Sequence, residues 1–132
     1  MGTLNVLAVL TAAVAAFLIG GLWYSPALFH RQWMRANRYT DADLAGGNMA
    51  AIFGLAFLFA LVMAANLAMF LDAPGTTMDW GAAAGGLSSI WVALGIGTVA
   101  LFERRPAAYT LINGGYWVVV LVVMGAILGG WR

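Results

Sequence analysis

The chain of 132 residues contains no cysteine and no lysine, and only 8% of its residues are charged. Without cysteine, disulfides, thiolate catalysis and cysteine-ligated metal sites are excluded. A soluble domain carries roughly 25% charged residues, so this surface is too poor in charge for water. The common catalytic signatures are also missing. There is no H-E-x-x-H, P-loop, G-x-S-x-G or G-x-G-x-x-G, and His30 is the sole histidine. Six arginines against five acids give a net charge of +1, which makes no basic surface for nucleic acid. What is present in excess is apolar side chain: 64% of residues are hydrophobic and the mean hydropathy is +0.92. These figures describe one integral membrane domain over residues 1–132, with no room for a second.

Four apolar runs carry no charge along their length: residues 4–24, 47–71, 80–102 and 109–131. At 1.5 Å rise per residue each reaches roughly 31–37 Å, enough for a ~30 Å hydrocarbon core. In lipid the backbone must satisfy its own hydrogen bonds, so each run is expected to be a helix. The first run is not expected to be a cleaved signal peptide, because residues 1–24 hold no basic residue. Acylation of Gly2 is not expected either, since Val6 stands where that motif requires Ser or Thr.

The loops orient the spans. The first connection, residues 25–46, holds Arg31, Arg35 and Arg38, and the third, residues 103–108, holds Arg104 and Arg105. The second, residues 72–79, holds Asp72 and Asp79 and no base. Four spans place the first and third loops on one side, so the positive-inside rule makes that side cytoplasmic and both termini external. Arginine without lysine, beside abundant alanine and glycine, fits a GC-rich bacterial coding sequence, and hence the cytoplasmic (inner) membrane. Trp23, Tyr24, Phe102 and Tyr109 suit one interfacial belt, and Phe70, Trp80 and Trp131 the other. Trp91 and Trp117 lie deeper and are expected to pack between helices.

The first loop reads as a short amphipathic interfacial helix. Ser25 suits its N-cap and Pro26 its first position. Phe29, Trp33 and Ala36 share one face, and Arg31, Arg35 and Arg38 the other, towards anionic lipid headgroups. Thr40, Asp41 and Asp43 read as the cap and acidic first turn of the second span. Glu103, directly before Arg104 and Arg105, is expected to pair with Arg35 or Arg38.

Small residues recur every four positions: Ala12, Ala16 and Gly20; Ala56, Ala60, Ala64 and Ala68; Gly81 and Gly85; Gly125 and Gly129. Such stripes let helices approach closely, inside the bundle or between protomers. Polar groups within the spans are few, and no acid, histidine or base lies there, which disfavours proton relays and voltage sensing. Asn5, Thr11, Asn48 and Ser89 read as interhelical hydrogen bonders. Asn66, Asn113, Ser88 and Thr98 could do the same, or line a polar path. An interfacial lipid enzyme would need His30, Asp41, Asp43 and Glu103 to converge on one cleft.

Residues 21–26 (Gly-Leu-Trp-Tyr-Ser-Pro), followed by Leu28, Phe29, Trp33 and Met34, form one signature. A second runs through residues 102–106 (Phe-Glu-Arg-Arg-Pro), 112–116 (Ile-Asn-Gly-Gly-Tyr), 124–129 and Trp131. Together they resemble a family of small bacterial four-helix membrane proteins known only as a domain of unknown function. The resemblance covers essentially the whole chain. It implies fold and topology, and no activity. The expectation is therefore an all-α, antiparallel four-transmembrane-helix bundle with an interfacial helix in its first loop. Its role is non-enzymatic packing or interaction, as a homo-oligomer or an accessory subunit. No catalytic residue, cofactor or metal is expected, and the partners are the bilayer and other membrane helices. The alternatives are a small channel or carrier for neutral solutes, or an interfacial lipid-modifying enzyme.

Overall fold

A computed structural model describes residues 4–132, so Met1 and Gly2, where acylation was considered, lie outside the described residues. The described chain is helical throughout, without strands. Its elements are α1 (Val6–Trp23), α2 (His30–Asn37), α3 (Asp41–Ala45), α4 (Met49–Phe70), α5 (Met78–Phe102) and α6 (Ala107–Gly130). The helices α1, α4, α5 and α6 are long and apolar enough to cross a membrane. Their ends fall within a few residues of the four apolar runs.

Side chains satisfy the free N–H groups at most helix starts. Asn5 accepts from the Ala8 N–H at 3.1 Å, Asn48 from Ala51 at 3.1 Å, and Thr77 from Trp80 at 3.2 Å. Asn48 is thus a helix cap and not an interhelical hydrogen bonder. Two local expectations need correction. Ser25 does not cap α2, because its hydroxyl turns back and donates to the Leu22 carbonyl at 2.6 Å. That carbonyl also accepts the Ser25 backbone N–H at 3.2 Å, and α2 begins later, behind Phe29. Thr40 and Asp43 do form a reciprocal capping box, but on the five-residue α3 and not on the second span. Gly46 and Gly47 follow α3, and the long helix restarts from Asn48. Each helical glycine costs about 1 kcal/mol relative to alanine, and a fresh cap one residue later makes the break the cheaper conformation.

The core is built from alanine on one side and larger residues on the other. Ala8, Ala12, Ala13 and Ala16 of α1 are buried with Ala60, Ala64 and Leu67 of α4 and Val120, Leu121, Met124 and Leu128 of α6. Phe17 bridges α1 to α4 through edge-on contacts with Phe53 and Phe57, at 6.3 and 5.4 Å between ring centroids. The helix α5 has its extensive packing against α6. Gly81 of α5 lies on Gly125 and Gly129 of α6, Gly85 on Leu121, Ala93 on Gly114, and Gly97 on Thr110. As one helix advances the other recedes, so this pair runs in opposite directions.

The outer faces are open and apolar. Trp91 is 79% exposed and Phe102 86% exposed, and Leu18, Phe59, Leu94 and Leu101 are likewise exposed. Trp91 therefore points out of the molecule and does not pack between helices as its depth suggested. Water would make such a surface a strong aggregation hazard, whereas hydrocarbon solvates it.

Candidate functional site

The arginine-bearing end of the helices holds the densest set of polar and aromatic contacts. It begins with the last turn of α1. The Trp23 indole N–H donates to the Ile112 carbonyl of α6 at 2.9 Å, and the Tyr24 hydroxyl donates to the Asn113 side-chain oxygen at 2.7 Å. One turn further along α6, the Tyr116 hydroxyl donates to the Ala16 carbonyl at 2.8 Å. Glycine makes room for these rings. A Cβ on Gly115 would stand 3.0 Å from the Trp23 ring, and one on Gly20 would stand 3.1 Å from the Tyr116 hydroxyl. Gly20 thus serves the joint between α1 and α6.

The chain then folds back over this joint. The Phe29 N–H donates to the Trp23 carbonyl at 3.0 Å and its ring lies 4.7 Å from the Trp23 ring. Trp33 meets Tyr24 edge-on at 6.0 Å, and Tyr39 meets Trp33 at 5.4 Å. His30 lies 6.3 Å from Trp33. The result is a layer of rings over the helix ends, with Ala36 and Asn37 of α2 buried and Arg31 and Arg35 exposed.

Beside this layer lies an open cleft of about 370 Å³, lined by Ala36, Arg38, Glu103, Arg104, Arg105 and Pro106. It brings the first and third loops together. Glu103 pairs with Arg105 at 3.7 Å, not with Arg35 or Arg38. The reason is local: α5 ends at Phe102 with Glu103 as its C-cap, and the turn that follows swings Arg105 back beside it. Arg105 also lies 5.4 Å over the Tyr109 ring. Among His30, Asp41, Asp43 and Glu103, only Glu103 lines this cleft.

The other candidate polar residues do not converge. Ser88 donates to Ala84 at 2.9 Å, Thr98 to Leu94 at 2.8 Å and Asn66 to Val62 at 3.3 Å, each within its own helix. Thr11 and Ser89 bond within their helices too. Asn113 alone among the four lining candidates reaches another helix. Gly81, Gly85, Gly125 and Gly129 are buried between α5 and α6, inside the chain.

The opposite end is closed by contacts that the sequence did not suggest. The Asn5 amide donates to the Trp131 carbonyl at 3.3 Å. Arg132, the one arginine outside the first and third loops, bonds the Leu71 carbonyl and pairs with Asp72 at 3.2 Å. The joint at the arginine end did leave a signal: Asn113 and Tyr116 stand three apart on one helix face.

Residues 7–129 match the family described as Protein of unknown function (DUF1761), and the chain belongs to that family. The joint and the cleft both fall inside the matched region. No curated protein and no solved structure matches the chain.

Proposed function

We propose that this DUF1761 protein is a non-enzymatic, multi-pass protein of the bacterial cytoplasmic membrane that acts by packing against other membrane helices. In this reading α1, α4, α5 and α6 cross the bilayer as an antiparallel bundle. The arginine-bearing end is cytoplasmic, α2 lies at the interface, and both termini are external. The charge distribution supports the orientation: five arginines sit in the first and third loops, and the sixth, Arg132, is matched by Asp72.

One observation carries the interaction role. Asn66 is exposed on α4, and its only hydrogen bond among the described residues goes to the Val62 carbonyl of its own helix. Its side-chain oxygen has no donor there. An uncovered carboxamide is costly in hydrocarbon, and such groups usually hold helices together. Leu55, Phe59 and Val62 flank it on the same open side. A second copy, or the helix of a larger partner, would cover this face.

Native mass spectrometry of protein gently extracted from its own membrane tests the role. A homo-oligomer, or co-release of a specific larger protein, is expected, and Asn66→Leu is expected to weaken the assembly. A single chain that carries no other protein would refute it. Orientation is tested separately by a cysteine in residues 72–79, which should react with an impermeant reagent from outside.

A further inference from the structure

We propose that the cleft between the end of α2 and the turn joining α5 to α6 is a discrete binding site for one phosphate group, with Arg38 and Arg104 as its principal ligands. The first observation is conformational. Among the described residues, two that are not glycine have a left-handed backbone, Arg38 at φ 59° and Arg104 at φ 61°. Both line this cleft. Each follows the end of a helix, where glycine is the usual occupant because it takes this conformation without a steric penalty. Two arginines at glycine positions, in one cleft, point to a use for the side chains rather than for the turn.

The second observation is electrostatic. Three arginines and one glutamate line the cleft, leaving two positive charges. Arg105 is engaged by Glu103. Among the described residues the Arg38 and Arg104 guanidinium groups have neither a hydrogen-bond nor an ion-pair partner. Guanidinium groups match phosphate oxygens with parallel N–H donors. The start of α6 adds to this field, since Pro106 gives it no side-chain cap. The cleft is open and large enough for a headgroup. Arg31 and Arg35 are exposed and do not line the cleft, so they serve as internal controls. This inference goes beyond the packing role. Its lipid arm rests on the membrane reading and its free-phosphate arm does not.

The test uses the full chain in phosphatidylcholine nanodiscs. Inorganic phosphate is titrated by calorimetry, and phosphatidic acid is added to parallel nanodiscs with bound lipid counted by native mass spectrometry. One saturable phosphate group per chain is expected. Binding of inorganic phosphate alone would identify a soluble ligand, and retention of phosphatidic acid without inorganic phosphate binding a lipid headgroup. The double variant Arg38→Gly, Arg104→Gly keeps the backbone conformation, so it should fold with an equal or higher Tm and bind about ten-fold more weakly or worse. Glu103→Gln should bind more tightly, because it frees Arg105. Equal binding by the double glycine variant would overturn the site. So would equal loss in an Arg31→Gln, Arg35→Gln control, which would show diffuse surface attraction only, or the absence of saturable binding of either probe.

Discussion

Replacing Gly81 by alanine should separate α5 from α6. A methyl group at Gly81 would overlap the Gly125 carbonyl oxygen and stand 2.9 Å from the Gly129 Cα. Both obstacles are backbone, so no side chain can rotate away. Ordinary contact for a Cβ begins at about 3.4 Å, and reaching it requires the two backbones to part along the whole contact. Overpacking of this kind costs about 1–3 kcal/mol. The higher helix propensity of alanine offsets up to ~1 kcal/mol of that. The net expectation, with that offset in full, is a loss of about 0–2 kcal/mol. Gly95→Ala supplies the control on the same helix, because nothing lies within 4 Å of its would-be Cβ. There only the propensity term acts, and a gain of up to ~1 kcal/mol is expected. Reversible unfolding in mixed micelles with increasing sodium dodecyl sulfate, followed by circular dichroism, measures both. A Gly81→Ala protein as stable as Gly95→Ala would refute the close approach of these helices.

The polar contacts make two further tests. A double-mutant cycle on Tyr24→Phe and Asn113→Ala should show a coupling of roughly 0.6 kcal/mol, and at most ~1.7, whereas Ser88→Ala should show almost no loss because that hydroxyl serves its own helix. The cycle fails if the two substitutions are additive. In the capping box, the Thr40 N–H and hydroxyl both donate to the Asp43 carboxylate, at 2.7 and 3.0 Å, and hold its pKa below the ordinary 3.8. A carboxylate lowered on folding contributes above its unfolded pKa, and that contribution disappears as pH falls through the lower folded value. Amide protection across α3, taken relative to the intrinsic exchange rate at each pH, should therefore fall at pH below the ordinary carboxylate range, and Asp43→Asn should remove that pH dependence.

The long helices were legible because hydropathy is summed over about twenty residues, and a few misplaced residues do not change the sum. Features that depend on one residue or on side-chain direction were not. The break at Gly46 and Gly47 turns on two glycines and a recapping asparagine inside an apolar run. The outward direction of Trp91 could not be read, since a membrane helix apolar all round has no polar face to mark its exposed side. Half of the joint left a signal, unused in the sequence reading, in the spacing of Asn113 and Tyr116. The other half, Trp23 and Tyr24, read as interfacial anchors, because their hydrogen bonds reach residues 89 positions away. A separation of 66 positions likewise hides the meeting of Arg38 with Arg104 in one cleft. Glu103 was expected to pair with Arg35 or Arg38 but pairs with Arg105, because its partner depends on the direction of the chain after α5.

In lipid no hydrophobic force draws one apolar helix to another, so directional bonds and close packing must set which helices stay together. The four long helices are unequal by that measure. Along α1, Asn5, Ala16, Trp23 and the following Tyr24 are all bonded to the α6 segment, which fixes the register from end to end. The pair α5 and α6 is locked by glycines that admit backbone against backbone. For α4, no side-chain hydrogen bond to α1 or α6 is found among the described residues. It leans on them through Phe53, Phe57, Ala60, Ala64 and Leu67, and Arg132 clamps its end at Leu71 and Asp72. The one long helix held neither by side-chain hydrogen bonds along its span nor by glycine-to-backbone packing is also the one that exposes Asn66. A helix that binds outward needs a free polar group and few inward commitments, and α4 has both. On the proposed function α4 should be the first long helix to exchange its amides in the isolated chain, and the one most protected in the proposed assembly. An α4 already as protected as α6 in the isolated chain would contradict it.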